Sequence, residues 1–254
     1  MWESGATRPT LTNRAQLASL LNISLGDVLP EAEDVAQQLS DDLQKPTSMN
    51  IALRRPQMTR AQFFAWAQAQ DVRYEFDGFQ PVAMTGGTLR HSTMTSNIHR
   101  ALYARLQGSG CRPYGPDAGL ATIGDAVRYP DALVSCTKVP DTAYTIEGAV
   151  VVFEVLSPTS GRTDRIVKLR EYRAVPSIRR YVILEHAGIG LTVFARADAG
   201  ADWTATALTA EDTLALPELG IEIPVVAFYE NVDLPEAGAE TGSDGTAPLT
   251  PPPG

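Results

Sequence analysis

The longest apolar run in the chain, Ala149-Val-Val-Val-Phe-Glu-Val-Leu156, reads as a buried strand with a single charge set into it. Other segments fall into the same alternation of strand and helix periods. Thr59 is placed to cap a helix through about Gln70, with Phe63, Phe64, Trp66 and Ala67 to bury. A hairpin follows: Val72–Phe76 and Phe79–Met84 flank the tight-turn pair Asp77-Gly78, and Pro81 puts the second strand at a sheet edge. A second helix is predicted from about Ser92 to Leu106 on the spacing of Ile98, Leu102, Tyr103 and Leu106. Gly119–Ile123, Arg128–Cys136 and Ala149–Leu156 read as neighbouring strands. A third helix spans about Asp164 to Ala174, stopped by Pro176, with Ile166, Leu169 and Tyr172 as its packing positions. Tyr181–Leu184 and Leu191–Phe194 form a further strand pair, and Trp203–Leu208 another strand. The pattern is mixed α and β, an α/β domain.

The ends of the chain differ from this middle. Residues 1–48 carry Arg8, Arg14 and Lys45 against seven acids and show short helical patterns broken by Gly26 and Pro30, an acidic extension. Residues 233–254 hold four acids, no base, and a run of Gly, Pro, Ala, Ser and Thr ending in Pro251-Pro-Pro-Gly254, a composition expected to be disordered. The domain proper is therefore assigned to residues 49–232. Removing both ends changes the meaning of the formal net charge of −9, because almost all of it belongs to them. Inside the domain Arg162, Arg165, Lys168, Arg170, Arg173, Arg179 and Arg180 cluster, opposed only by Asp164 and Glu171, a local balance suited to a polyanion. Two cysteines, Cys111 and Cys136, no basic and apolar leader and no stretch of membrane-spanning length favour a soluble protein of the reducing cytoplasm.

The charge inside the apolar run is Glu154. A buried carboxylate is costly to ionise unless a cation or several hydrogen bonds compensate it. Asp131, at the start of Asp131-Ala-Leu-Val-Ser-Cys136, can converge on it from the neighbouring strand. Two such acids can share a hard cation, Mg2+ or Mn2+, with the Val155 carbonyl as a third ligand. Lys168, four residues after Asp164 on the third helix, can be aimed back at the strand, or can form an ordinary solvated pair with Asp164. Glu154 could alternatively be neutralised by Arg165 or Arg128. Walker-type phosphate loops, dinucleotide fingerprints, zinc spacings and Gly-x-Ser-x-Gly elbows are absent.

In order along the chain, Tyr74-Glu75-Phe76-Asp77-Gly78, His91, Tyr129-Pro130-Asp131, Phe153-Glu154-Val155-Leu156-Ser157-Pro158, Asp164, Lys168 and Tyr172 resemble the Uma-type restriction endonuclease family of the PD-(D/E)XK nuclease superfamily. The resemblance spans about residues 56–232. It implies a restriction-endonuclease-like fold, a mixed central sheet flanked by helices, and metal-dependent hydrolysis of phosphodiester bonds, most simply in DNA, by paired copies where two strands are cut. Carried over, Asp131 and Glu154 match the metal-binding acids and Glu75 the early acid that completes the shell. The superfamily pattern puts lysine two residues after Glu154, where this chain has Leu156; Lys168 matches the helical lysine of this branch. His91, Arg162, Arg165 and Tyr172 are expected to line the site or meet nucleic acid, whereas His99 is read as structural. A noncatalytic nucleic-acid-binding or protein-interaction module on the same fold is the alternative.

Overall fold

Because β-branched residues dominate it, Ala149–Val155 extends as the longest strand among the described residues, and two layers of helix and loop close over its two faces. The protein, seen in a computed structural model, is described over residues 58–156 and 162–234, with residues 162–165 described by their backbone alone. These residues belong to one compact unit, Arg55–Gly254. The patterns noted within residues 1–48, the turn at 157–161 and the tail from 235 lie outside the described residues.

Helix α1 (Arg60–Ala67) begins at Thr59, whose side chain accepts from the Gln62 amide while Gln62 accepts from the Thr59 amide, a reciprocal capping box. Strands β1 (Tyr74–Phe76) and β2 (Pro81–Ala83) form the expected hairpin. Asp77 Oδ1 accepts from the Phe79 and Gln80 amides, and Gly78 takes a φ of +89°, which a side chain would disfavour. Helix α2 (Leu89–Leu106) starts one turn earlier than its apolar spacing predicts, because Thr88 caps it by accepting from the His91 amide.

After α2 come β3 (Arg112–Tyr114), β4 (Gly119–Ala121), β5 (Val127–Arg128), β6 (Ala132–Ser135), β7 (Thr145–Ile146) and β8 (Ala149–Val155). Helix α3 (Arg162–Ala174) leads to β9 (Arg180–Leu184), β10 (Gly190–Ala195), β11 (Thr204–Thr209), β12 (Thr213–Leu216) and β13 (Ile221–Pro224), and a 3-10 turn at Val225–Tyr229. The main sheet runs β11-β10-β9-β8-β6-β3, with β8 and β9 parallel across α3 and the other pairs antiparallel. A smaller sheet runs β2-β1-β5-β4-β7, with β2 at its edge as Pro81 requires, and β12 and β13 pair by themselves.

The three strands expected to be neighbours are corrected by this topology. Arg128–Cys136 is two strands, broken at Tyr129-Pro130-Asp131, with β5 in the small sheet and β6 in the main one. Gly119–Ala121 also pairs in the small sheet. Pro130 has no amide hydrogen to continue a ladder, and the chain uses that break to change sheets. Cys111 and Cys136, read as cysteines of a reducing compartment, are joined in a disulfide, since the Arg112↔Ser135 register brings the next residues of β3 and β6 opposite each other. Among the described residues no helix is long and apolar enough to cross a membrane.

The alternation along β8 separates two cores. Val151, Phe153 and Val155 turn toward α2, where they meet Met94, Ile98 and Leu102, together with Leu216 and Phe228. Val152 and Leu156 turn the other way, toward Tyr172 of α3, Tyr181 and Leu133. Position 154 therefore belongs to the α3 face. The partition predicts that Phe153→Ala, which empties a fully buried site in the α2 layer, lowers the unfolding free energy by about 3–5 kcal/mol in urea denaturation, whereas Val82→Ala on the exposed edge strand changes it by less than about 0.5 kcal/mol.

Candidate active site

The register Ala132↔Phe153, continued by one residue toward the start of β6, sets Asp131 opposite Glu154. Both side chains lie on the same side of the sheet, because opposed residues of an antiparallel pair share a face. Asp131 is held there from several directions. Its Oδ2 accepts the Val155 amide at 2.7 Å, in place of a main-chain carbonyl, and lies 3.2 Å from His91 Nε2. Its own carbonyl meets His99 Nε2 at 3.0 Å. His91 and His99 are eight residues apart on α2 and so project from one face of the helix onto one residue. His99, read as structural, bonds the backbone of the acid at the site.

Glu154 sits with only 12% of its side chain exposed. Its Oε1 accepts from Lys168 Nζ at 3.2 Å and from the Tyr172 hydroxyl at 2.9 Å, two groups one turn apart on α3. Lys168 is thus aimed at the strand, and its Nζ also lies 3.8 Å from Glu75 Oε1. Tyr172 is fully buried, edge-on to Tyr181, so it lines the site by bonding Glu154 and presents nothing to a bound polymer. Ile166, expected to pack, is exposed. The backbones of Arg162 and Arg165 form the first turn of α3; the side chains of Arg162, Asp164 and Arg165 lie outside the described residues.

Arg128 does not neutralise Glu154. It donates through Nε and Nη2 to the two oxygens of Glu171 at 2.7 and 2.6 Å, and through Nη1 to Glu75 Oε2 at 2.8 Å. Thr122 completes the group by donating to Glu171 at 3.1 Å. Burial works against the Arg128 charge, but the bonds to Glu171 and Glu75 outweigh it and hold the guanidinium above its usual pKa. This network went unread in the sequence. Its signal was of the same kind as that of Glu154, an ion in a short strand between apolar neighbours, with Glu171 beside Tyr172 on the inward face of α3. Glu75, matched to the metal shell by resemblance, is fixed between Arg128 and Lys168.

The electrostatics of the cluster leave room for a cation. Burial raises the Glu154 carboxyl to about 7; Lys168 pulls it down, while Asp131 and Glu75 push it up. The hydrogen bond that His91 donates to Asp131 raises its pKa against the opposing effect of burial, and a main-chain bond to Val155 adds to this. Oδ1 of Asp131 and Oε2 of Glu154 make no hydrogen bond to the described residues. Among the described residues, no three His, Cys, Asp or Glu side chains gather closely enough to cage a metal. Two crowded carboxylates with free oxygens fit a hard divalent ion that keeps waters and takes substrate oxygens in its remaining positions.

A family model described as "Putative restriction endonuclease", Uma2, matches residues 60–226. The chain belongs to the Uma2 family. An uncharacterized protein of Synechocystis sp. (slr1290) is 25% identical over 179 residues, covering 70% of this chain and 94% of the relative. A crystal structure from Anabaena variabilis, described as a "putative nuclease belonging to DUF820", superposes with a TM-score of 0.55 at 13% identity, over 68% of this chain and 98% of that one. The fold of this Uma2 chain is therefore the mixed α/β fold of that structure, and the Uma2 match covers Asp131, Glu154, Lys168 and the Arg128 network alike.

Two outcomes follow for this Uma2 member. Arg128→Ala leaves Glu171 buried without its cation and Glu75 with Lys168 alone, and should cost about 3–5 kcal/mol of stability, read by chemical denaturation. The raised Glu154 pKa means that the folded state holds a proton that the unfolded chain releases near 4.5. Stability from this group is complete below about 4.5 and is lost as pH rises through about 7. In EDTA, the Tm of Glu154→Gln minus that of wild type should therefore increase from pH 5 to pH 8, and a difference independent of pH would contradict the assignment.

Proposed function

We propose that the protein is a divalent-metal-dependent endonuclease that hydrolyses phosphodiester bonds in DNA, with Mg2+ or Mn2+ held by Asp131 and Glu154. The observation that supports this reading best is the opposition of these two acids on β6 and β8 with Lys168 bonded to one of them. A cation bound there supplies Lewis acidity toward a phosphoryl oxygen and lowers the pKa of a coordinated water.

The remaining work falls to the chain itself. The Val155 amide and His91 orient Asp131, and Tyr172 orients Glu154, so the acids need little rearrangement before binding. The Val155 carbonyl is the further oxygen donor in this reading. Lys168 supplies the cationic group that stabilises charge on the phosphate in the transition state. Glu75, anchored by Arg128, positions Lys168 from its second side and can reach the shell through water. Arg162 and Arg165 open α3, from where their charges favour the polyanion. Two copies acting on opposite strands would make the cut double.

The reading is tested with full-length wild type, Asp131→Ala, Glu154→Gln and Lys168→Ala on duplex DNA with Mg2+ or Mn2+. Each substitution should reduce cleavage by roughly 100-fold or more. Mn2+ should stabilise wild type, by about 2.7 kcal/mol at a hundredfold excess over Kd, and should not stabilise Glu154→Gln. Equal cleavage in all four proteins assigns the activity to a contaminant. Absence of both cleavage and Mn2+ stabilisation, with DNA binding retained, favours the noncatalytic binding module.

A further inference from the structure

A second concentration of positive charge lies away from the two acids, around the end of α3. Two cavities of about 390 and 610 Å³ share Arg196, Ala201 and Asp202 in their walls. Arg170, Arg173 and Trp203 line the first, and Arg179 and Arg180 the second. Arg180 is committed to Glu218 by two bonds, at 2.7 and 3.1 Å. Arg170 and Arg173, three residues apart on one side of α3, are exposed and form no ion pair among the described residues.

The end of a helix ordinarily repels an anion, because its last carbonyls point outward. Here Arg196 removes that obstacle. Its guanidinium, stacked 4.8 Å over Trp203, donates to the carbonyls of Arg173, Val175, Ile178 and Ala199. It is thereby buried without a carboxylate partner among the described residues. Burial first, then the nearby charges of Arg179 and Arg173, depress its pKa, which reports the same crowding of cations. Asp198 and Asp202 are the opposing acids, and Asp198 also accepts the Gly200 amide. Four guanidiniums against two carboxylates leave the surface positive.

We propose that this cluster, Arg170, Arg173 and Arg179 on a platform made by Arg196 and Trp203, is a docking site for backbone phosphates of DNA on the face of α3 turned away from the acid pair. The choice of DNA as the polyanion rests on the nuclease reading above. Arg173 follows Lys168 by five residues, about 7.5 Å along the helix. Arg170 and Arg173 point away from the sheet, opposite to Lys168, so a duplex lying along α3 meets them without disturbing the Glu154 contact.

The test measures binding of a fluorescein-labelled duplex in EDTA, by anisotropy between 50 and 200 mM NaCl, for wild type and for Arg170→Glu/Arg173→Glu in the full chain. We expect the double variant to bind at least about tenfold more weakly at low salt, with the slope of log Kd against log salt reduced by about 2. Arg170→Gln/Arg173→Gln should give a smaller change in the same direction, and both variants should keep the wild-type circular dichroism and Mn2+ thermal shift. An unchanged affinity and slope overturns the proposal. So does a result in which tripolyphosphate binding is lost in the variants and duplex binding is kept, which would make this a small-anion site. Reduced slope in a protein that never cleaves DNA upholds the docking site and counts only against the nuclease.

Discussion

The local architecture depends on one buried charge. Glu154 occupies a position in β8 whose neighbours are all apolar, and it is kept there by two side chains of α3 that arrive one turn apart. That contact fixes the rotation of α3 on the sheet. With Lys168 and Tyr172 turned inward, Glu171 is turned toward Arg128, and Arg170 and Arg173 are turned out to solvent. One helix therefore carries a catalytic candidate, a structural ion pair and a basic outer surface, and their separation follows from helical periodicity alone.

The Arg128 network is the counterpart of this arrangement in the small sheet. Arg128 joins β5 to α3 through Glu171 and to β1 through Glu75, whose other oxygen faces Lys168. The chain of charges from Glu171 through Arg128, Glu75 and Lys168 to Glu154 alternates in sign at every step. Such a chain holds each inner ion by two neighbours, and the loss of an inner member weakens the compensation of both. The two sheets are thus locked together by the charges that set the geometry of the site.

Much of this was legible in the residues. The Thr59 cap, the Asp77-Gly78 turn and the Ala149–Leu156 run each announced an element by local chemistry, and the odd charge in the run announced a site. What was hidden was nonlocal. Nothing in Arg128–Cys136 states that the strand leaves one sheet for another at Pro130, although the proline marked the spot. Strands of two to four residues, such as β3, β7, β12 and β13, are too short to show a period. The partners of Arg128 lie 43 and 53 residues away, so its role depended on a topology that spacing cannot supply. The same holds for Arg196, which gathers carbonyls from four separate residues.

Leu156 stands where the pattern that the chain resembles has a lysine, and its surroundings suit an apolar side chain. Positions 152, 154 and 156 share one face of β8, and Leu156 is buried there among Leu133, Ile178 and Tyr172. A lysine at 156 would have to carry an ammonium along this apolar wall to reach the acids. Lys168 comes from the opposite side of the same gap, its side chain only 15% exposed, and its stem covers part of the cluster while its ammonium meets both Glu154 and Glu75. Leucine at 156 therefore closes the core beneath α3, and the Lys168 ammonium stands beside Glu154 on a helix whose rotation is set by Tyr172.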